Sequence, residues 1–287
     1  MKIAVFGASG LVGSYLCKSL ENAGHSVIKL SKTSSGMDFN IDASDFSQTE
    51  SLLKKLKPQI IINAIKPNLS TDECEIKKGE AHRYLVQIPQ NLSKLAKQLK
   101  CKFIHFSTDW VYEGKEGEEY DETSPTNPLN YYSIAKLEAE NLALTFCPDA
   151  LILRIEGVFG KGRDSSFFSR LASSLKEKKE FLAASDQFSQ PIYAGEIARI
   201  LCILIEKNAS GIYNLVGPQL LSRYSLAIKF AKKEGLDASR IFPSKSSGRA
   251  IKIPMHLKVS IRKIENIVKL LSLDEQINIF LEDDKNE

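Results

Sequence analysis

Several features are scarce in this chain of 287 residues, and each scarcity removes a class of function. The five cysteines, Cys17, Cys74, Cys101, Cys147 and Cys202, are odd in number, far apart and form no C-x-x-C pair. That excludes a disulfide framework and a cysteine-bound zinc, and it fits a reducing cytoplasm. The four histidines, His25, His82, His105 and His256, show no ligand spacing, so no metal site is expected. Apolar runs such as ILCILI at 200–205 fall far short of the ~20 residues a membrane span needs. Charge of one sign is also missing: 39 basic residues face 35 acidic ones, spread along the chain, for a formal +4. Neither a nucleic-acid footprint nor a polybasic membrane anchor stands out. The start, MKIAVFGASGLVG, puts a lysine before an apolar run as a signal peptide does, but Ser9 and three glycines interrupt it and no cleavage context follows, so secretion is not expected.

What is present is a hydrophobic content of 43%, enough for a substantial core, and a regular alternation of segment types. Apolar, β-branched runs at 2–6, 26–30, 59–63, 102–106 and 150–154 alternate with helical stretches near 11–23, 47–56, 81–99 and 130–146. Strands apolar throughout, each followed by a helix, predict a parallel sheet covered on both faces, a doubly wound α/β layout. Beyond about residue 155 the alternation loosens. Residues 1–155 are read as a dinucleotide-binding domain, and 156–287 as a smaller substrate lobe partly interwoven with it. The last 15 residues, with Glu282, Asp283, Asp284 and Glu287, read as a fraying acidic end.

The segment GASGLVG sets Gly7, Gly10 and Gly13 directly after the first strand and at the opening of the first helix. A tight turn, a close approach of backbone to a pyrophosphate and helix-to-strand packing each require a missing side chain there, so Gly7, Ser9, Gly10, Leu11, Val12 and Gly13 are candidate cofactor contacts. The spacing, G-x-x-G-x-x-G, is one residue longer at the front than the usual fingerprint. At the end of the second strand, where a carboxylate would accept from a ribose 2'-hydroxyl, the chain carries Ser31 and Lys32. A hydroxyl and an ammonium favour a 2'-phosphate, hence NADP over NAD. Asp42, followed by Ala43, either accepts from the adenine amino group or faces solvent.

In NPLNYYSIAK, Tyr132 and Lys136 are four residues apart, about 40° around a helix, and share a face; Tyr131 does not share it. A phenol ionises near ~10, so a neighbouring cation is expected to lower it. HFSTDWVY supplies Ser107 and Thr108 as hydroxyls for a substrate oxygen at the carboxyl edge of the sheet. Trp110 and Tyr112 either floor the pocket or pack under the acidic loop at 113–122, which reads as solvated. Arg163 and Arg249 are candidate diphosphate partners, since a guanidinium suits phosphate oxygens.

Taken together, GASGLVG, the INA ending at Ala64, FSTDWVYEG, TSPTNPLNYYSIAKLEAE, LRIEGVFG, DQFSQPIYAGEIA and GIYNLVGPQLLSRY resemble the extended short-chain dehydrogenase/reductase superfamily. Within it the chain resembles the sugar-nucleotide-binding dTDP-4-dehydrorhamnose reductase family, over roughly residues 1–270. The resemblance implies a Rossmann-like fold and NADPH-dependent reduction of a 4-keto group on a nucleotide-activated deoxysugar, in surface polysaccharide or deoxysugar synthesis. It implies Thr108, Tyr132 and Lys136 as the catalytic set and Asp109 near the substrate. Asn63, Ala64, Ile65 and Lys66 would line the cofactor, with NAD as an alternative to NADP. A nucleotide sugar is the implied partner, and a homodimer is compatible with it.

Departures from the family pattern fall near both the substrate and the cofactor, where NAIKPN sets Lys66 and Pro67 in a segment that usually reads NAAA followed by a hydroxyl residue. Glu156 and Gly157 stand where the family commonly has Ser-Trp against the sugar, Leu85 where it has asparagine, and Arg249-Ala250 where it has Arg-Pro. A second resemblance, to the methionine adenosyltransferase β subunit at Ser222 to Tyr224, offers an alternative: a non-catalytic, NADP-binding regulatory subunit.

Overall fold

Alternation within each strand decides which helices cover the sheet. In β1 (Lys2–Phe6), Ile3 and Val5 enter one core with helices α1 (Leu11–Asn22) and α8 (Ala194–Glu206). Ala4 and Phe6 enter another core with α2 (Phe46–Leu56), α5 (Ile88–Leu99) and α6 (Tyr131–Phe146), because successive side chains leave a strand on opposite faces. Both faces are therefore apolar and both are covered, as the unbroken apolar runs require. This computed structural model describes residues 1–161, 167–246 and 250–285.

The other strands of the main sheet are β2 (Ser26–Ser31), β3 (Phe39–Asn40), β4 (Ile60–Asn63), β5 (Lys102–Thr108), β6 (Leu151–Ile155) and β9 (Gly211–Asn214). Their order is β3-β2-β1-β4-β5-β6-β9, every pairing parallel. The order reverses between β1 and β4, which opens a crevice at their carboxyl ends, the switch point where ligands of such sheets bind. The doubly wound α/β expectation holds. No helix among the described residues is long and apolar enough to cross a membrane.

Residues beyond β6 both extend this sheet, through β9 and α8, and build a smaller lobe. That lobe packs α7 (Phe167–Lys176), α9 (Arg223–Glu234) and α11 (Leu273–Lys285) around Phe159, Phe168 and Phe230. Two strand pairs edge it, β7 (Phe181–Ala184) with β11 (Ile241–Ser244), and β8 (Phe188–Ser189) with β10 (Leu221–Ser222). The end of the chain is not frayed over its described part. Its acidic residues flank an apolar stripe, Leu273, Ile277 and Phe280, that buries in the lobe, and the Tyr193 hydroxyl donates to the Asp283 carboxylate.

The helix expected near 81–99 is broken into Lys78–His82, a π-helical stretch Arg83–Gln87 and Ile88–Leu99. Pro89, which has no N–H to give, sits at the start of the last piece, and the wider turn precedes it. The acidic loop is tied down rather than solvated throughout: Tyr120 bridges to Val259, and Glu122 accepts from the Asn214 amide at 2.8 Å. A buried strut fixes α6 to β6. Arg154 donates to both oxygens of Glu140, at 2.7 and 3.0 Å, and to the Tyr112 hydroxyl at 2.6 Å.

Candidate active site

The glycine turn forms a cradle at the crevice. Gly7 takes φ +82°, and a Cβ there would fall 2.7 Å from the Ala64 carbonyl group at the end of β4; one on Gly13 would fall 2.1 Å from the Gly7 oxygen. Only glycine fits at these two points. Gly10 is the N-cap of α1 and carries no side-chain cap, and the first turn, which includes Leu11 and Val12, holds no acid. The helix therefore presents its first amides and the positive end of its dipole to an anion. A dinucleotide pyrophosphate fits this cradle.

Beside it lies a cluster of cations and hydroxyls. Lys32 lies 2.9 Å and Arg83 2.5 Å from the Asp42 carboxylate, which also accepts from Ser44 at 2.7 Å. Burial acts to raise the Asp42 pKa, but these partners prevail and hold it at about 2. Asp42 is thus an anchor for two cations rather than a vacant acceptor. Ser31 accepts from the Ser34 amide at 3.0 Å, and Ser34 donates to Ser9 at 2.9 Å. Ala43 is buried, its carbonyl accepting from Asn91. Two cations against one carboxylate leave a net positive charge, as a 2'-phosphate would need. Arg83, missed in the sequence, enters from the π-helical stretch.

The chemistry sits one strand further along. Asn130 caps α6 through a reciprocal box with Ser133, its Oδ1 accepting from the Ser133 amide at 3.1 Å. This start places Tyr132 and Lys136 on the face toward β5, beside Thr108. Tyr131 points away, its amide donating to Glu75 at 2.9 Å and its ring lying under the Lys78 ammonium. Burial pushes the Tyr132 phenol up to about 12, opposed by a hydrogen bond with Thr108 and assisted by the carboxyls of Asp109 and Glu156. Trp110 stands edge-on to the Tyr132 ring at 6.2 Å, while Tyr112 is core.

Lys136 does not lower the phenol as expected. Its buried ammonium donates to the Phe106 carbonyl and lies 3.4 Å from His105 Nε2, and burial, against the pull of Glu140, brings its pKa down to about 8. His105 is held from its other side by Asn63 at 3.1 Å, whose Oδ1 accepts from the Ile65 amide. Lys66 is exposed. Ser107, Asp109 and Glu156 are buried next to Thr108, and Gly157 turns at φ +56° against Pro191.

The family model described as "RmlD substrate binding domain" matches residues 1–284. The chain belongs to the RmlD family. Similar relatives include the dTDP-4-dehydrorhamnose reductase of Aggregatibacter actinomycetemcomitans, 31% identical over 79% of this chain and 77% of that one. A crystal structure of a dTDP-4-dehydrorhamnose reductase from Clostridium acetobutylicum superposes with a TM-score of 0.91 at 22% identity, over 99% of this chain and 100% of that one. The Bacillus anthracis dTDP-4-dehydrorhamnose reductase, solved in complex with NADP, gives 0.89 at 20% identity, over 98% and 99%.

Against the RmlD pattern, Leu85 is buried in a small cluster that includes both Tyr131 and Tyr132, so it packs the tyrosine pair where the family has a polar side chain. Arg163 and Arg249 lie outside the described residues. The strut of Glu140 and Arg154 was also missed. A lone arginine inside the apolar strand segment ALILR is the signal that called for a buried counter-ion.

Proposed function

We propose that this chain is an NADPH-dependent reductase of a 4-keto group on a nucleotide-activated deoxysugar. The observation that carries the reading is the Thr108–Tyr132 pair, backed by Lys136, at the carboxyl edge that also holds the glycine cradle. Family membership and a relative named dTDP-4-dehydrorhamnose reductase at 31% identity support the substrate class. Gly7, Gly10 and Gly13 with the first turn of α1 would hold the pyrophosphate, Lys32, Arg83 and Ser31 the 2'-phosphate, and Asn63 to Lys66 the crevice wall. When bound, the cofactor supplies a hydride to the carbonyl carbon.

Tyr132 gives its phenolic proton to the oxygen that becomes the alcohol, and Thr108 orients that oxygen. At about 12 the phenol stays protonated through the working range, as a proton donor must. Lys136, cationic below about pH 8, sets a positive charge behind the pair. Five free cysteines support a reducing, cytoplasmic setting. The regulatory-subunit reading draws on Ser222 to Tyr224, but Ser222 caps α9, accepting from the Ser225 amide at 3.0 Å, so that segment has a local role. The test is NADPH oxidation across a panel of dTDP- and UDP-4-keto-6-deoxysugars: at least one should be turned over. No turnover with any, while NADPH binds, would reject the reading.

A further inference from the structure

Beside Tyr132 the chain buries two carboxyls that the proton transfer does not use. The parallel register pairs Thr108 with Ile155, so the next residues, Asp109 and Glu156, leave the sheet at adjacent strand ends. Asp109 is 0% and Glu156 7% exposed. Both oxygens of Asp109, one oxygen of Glu156 and the Ser107 hydroxyl lack a well-aligned hydrogen-bond partner, Asp109 meeting only the nearby amides of its own residue and Trp110. Buried polar atoms are paired in folded proteins, and unpaired ones at a crevice call for a ligand that donates to them.

The surroundings limit that ligand. Arg223 stands 4.0 Å from the other Glu156 oxygen and is held by Gln187 at 3.1 Å, and Ser189 also bonds Glu156. Two cations therefore act on the pair, Arg223 on Glu156 and, from its ion pair with Glu140, Arg154 on Asp109. Burial, and for Asp109 also the neighbouring Glu156, pushes both carboxyls up, because charge is costly in this enclosed place unless a donor faces it. Both carboxyls also act on the Tyr132 phenol, so they lie within electrostatic reach of the carbonyl that Tyr132 serves.

We infer that Asp109 and Glu156 form a two-carboxyl subsite that selects a sugar bearing a hydrogen-bond donor, hydroxyl or amine, on the ring carbon next to the keto group. The inference rests on the reductase reading and goes beyond it, since Glu156 stands where the RmlD pattern has no acid. In a 4-keto-6-deoxyhexose the carbon on one side of the carbonyl bears a methyl group and the other, C3, a hydroxyl. C3 is therefore the position read. A hydroxyl donates to the unpaired carboxyl oxygens; an ammonium donates to them and also brings a positive charge beside two buried carboxyls. A C3-deoxy sugar leaves the buried oxygens unpaired, the situation that binding sites reject most strongly.

The experiment compares kcat/KM for dTDP-4-keto-6-deoxyhexoses carrying a hydroxyl, an amine or hydrogen at C3, in the wild type, Glu156→Gln and Glu156→Ala. The wild type should favour a donor-bearing sugar over the deoxy sugar by at least roughly 100-fold. Glu156→Ala should shrink that ratio by about 10-fold or more, mainly through KM. Glu156→Gln should keep the hydroxyl sugar but lose the amine sugar, because an amide cannot ionise against a cation. Which sugar the wild type prefers, hydroxyl or amine, identifies the natural donor. NADPH affinity, measured on every variant, reports that the fold is intact. A wild-type ratio near one, or a ratio kept in Glu156→Ala, overturns the inference. If no sugar is reduced, the same ratios read from equilibrium binding of the nucleotide sugars decide the subsite separately from the reductase reading.

Discussion

The buried ammonium of Lys136 should set the alkaline limit of activity. Burial brings its pKa from an ordinary lysine value down to about 8, while the Tyr132 phenol, at about 12, does not titrate in the same range. The productive form is the protonated amine, so kcat/KM should be full below about pH 7 and fall as pH rises through about 8. At about pH 9 roughly one-tenth of the amine is still charged, and each further unit costs about another tenfold, following ordinary single-site titration. The assay is kcat/KM for the ketosugar at saturating NADPH, which reports the enzyme form that meets the ketosugar. In Lys136→Arg the guanidinium stays charged above pH 12. The plateau should be lower, because a planar guanidinium cannot take the ammonium's place on the Phe106 carbonyl, but the profile should run flat to about pH 10. A limb at the same pH in both proteins, or no limb below about pH 10 in the wild type, would refute the assignment.

Four further substitutions follow from the geometry. Arg83→Ala removes one of the two cations around Asp42 and should raise KM for NADPH by roughly 5- to 10-fold while leaving NADH within about 2-fold; steady-state kinetics with both cofactors checks it. Gly13→Ala drives a Cβ to 2.1 Å from the Gly7 oxygen and should cost about 1–3 kcal/mol and abolish NADPH binding. Gly79→Ala, whose Cβ meets nothing within 4 Å, should leave both unchanged or slightly improved, as thermal melts and cofactor titration will show. Glu140→Gln strands the buried Arg154 guanidinium and should lower stability by about 3–5 kcal/mol in denaturant unfolding.

What was legible in the sequence was whatever short-range pattern specifies. The β1 turn and the glycine cradle follow from three residues whose absent side chains have local causes. The choice between the two tyrosines follows from the four-residue spacing of Tyr132 and Lys136: Tyr132 joins Lys136 on the β5 face, and Tyr131 turns to Glu75. Long-range partners were not legible. Arg83 meets Asp42 across 41 residues, by way of a π-helical stretch that no periodicity announces. Lys136 was expected to face the phenol, but a buried ammonium first satisfies the nearest carbonyl, that of Phe106. The acidic C-terminal segment misled because its charges outnumber an apolar stripe that becomes visible only at helical spacing. Glu156 was visible as a departure, yet its partners Ser189 and Arg223 come from the smaller lobe, whose strands are too short to read.

The account depends on one phenolic proton. Its most direct test is single-turnover reduction of the best ketosugar by Tyr132→Phe, with NADPH affinity measured on the same sample and Tyr131→Phe alongside. The account predicts unchanged NADPH affinity and a rate reduced roughly 10²- to 10⁴-fold in Tyr132→Phe, with Tyr131→Phe close to wild type. An undiminished rate in Tyr132→Phe, or an equal loss in Tyr131→Phe, would contradict it.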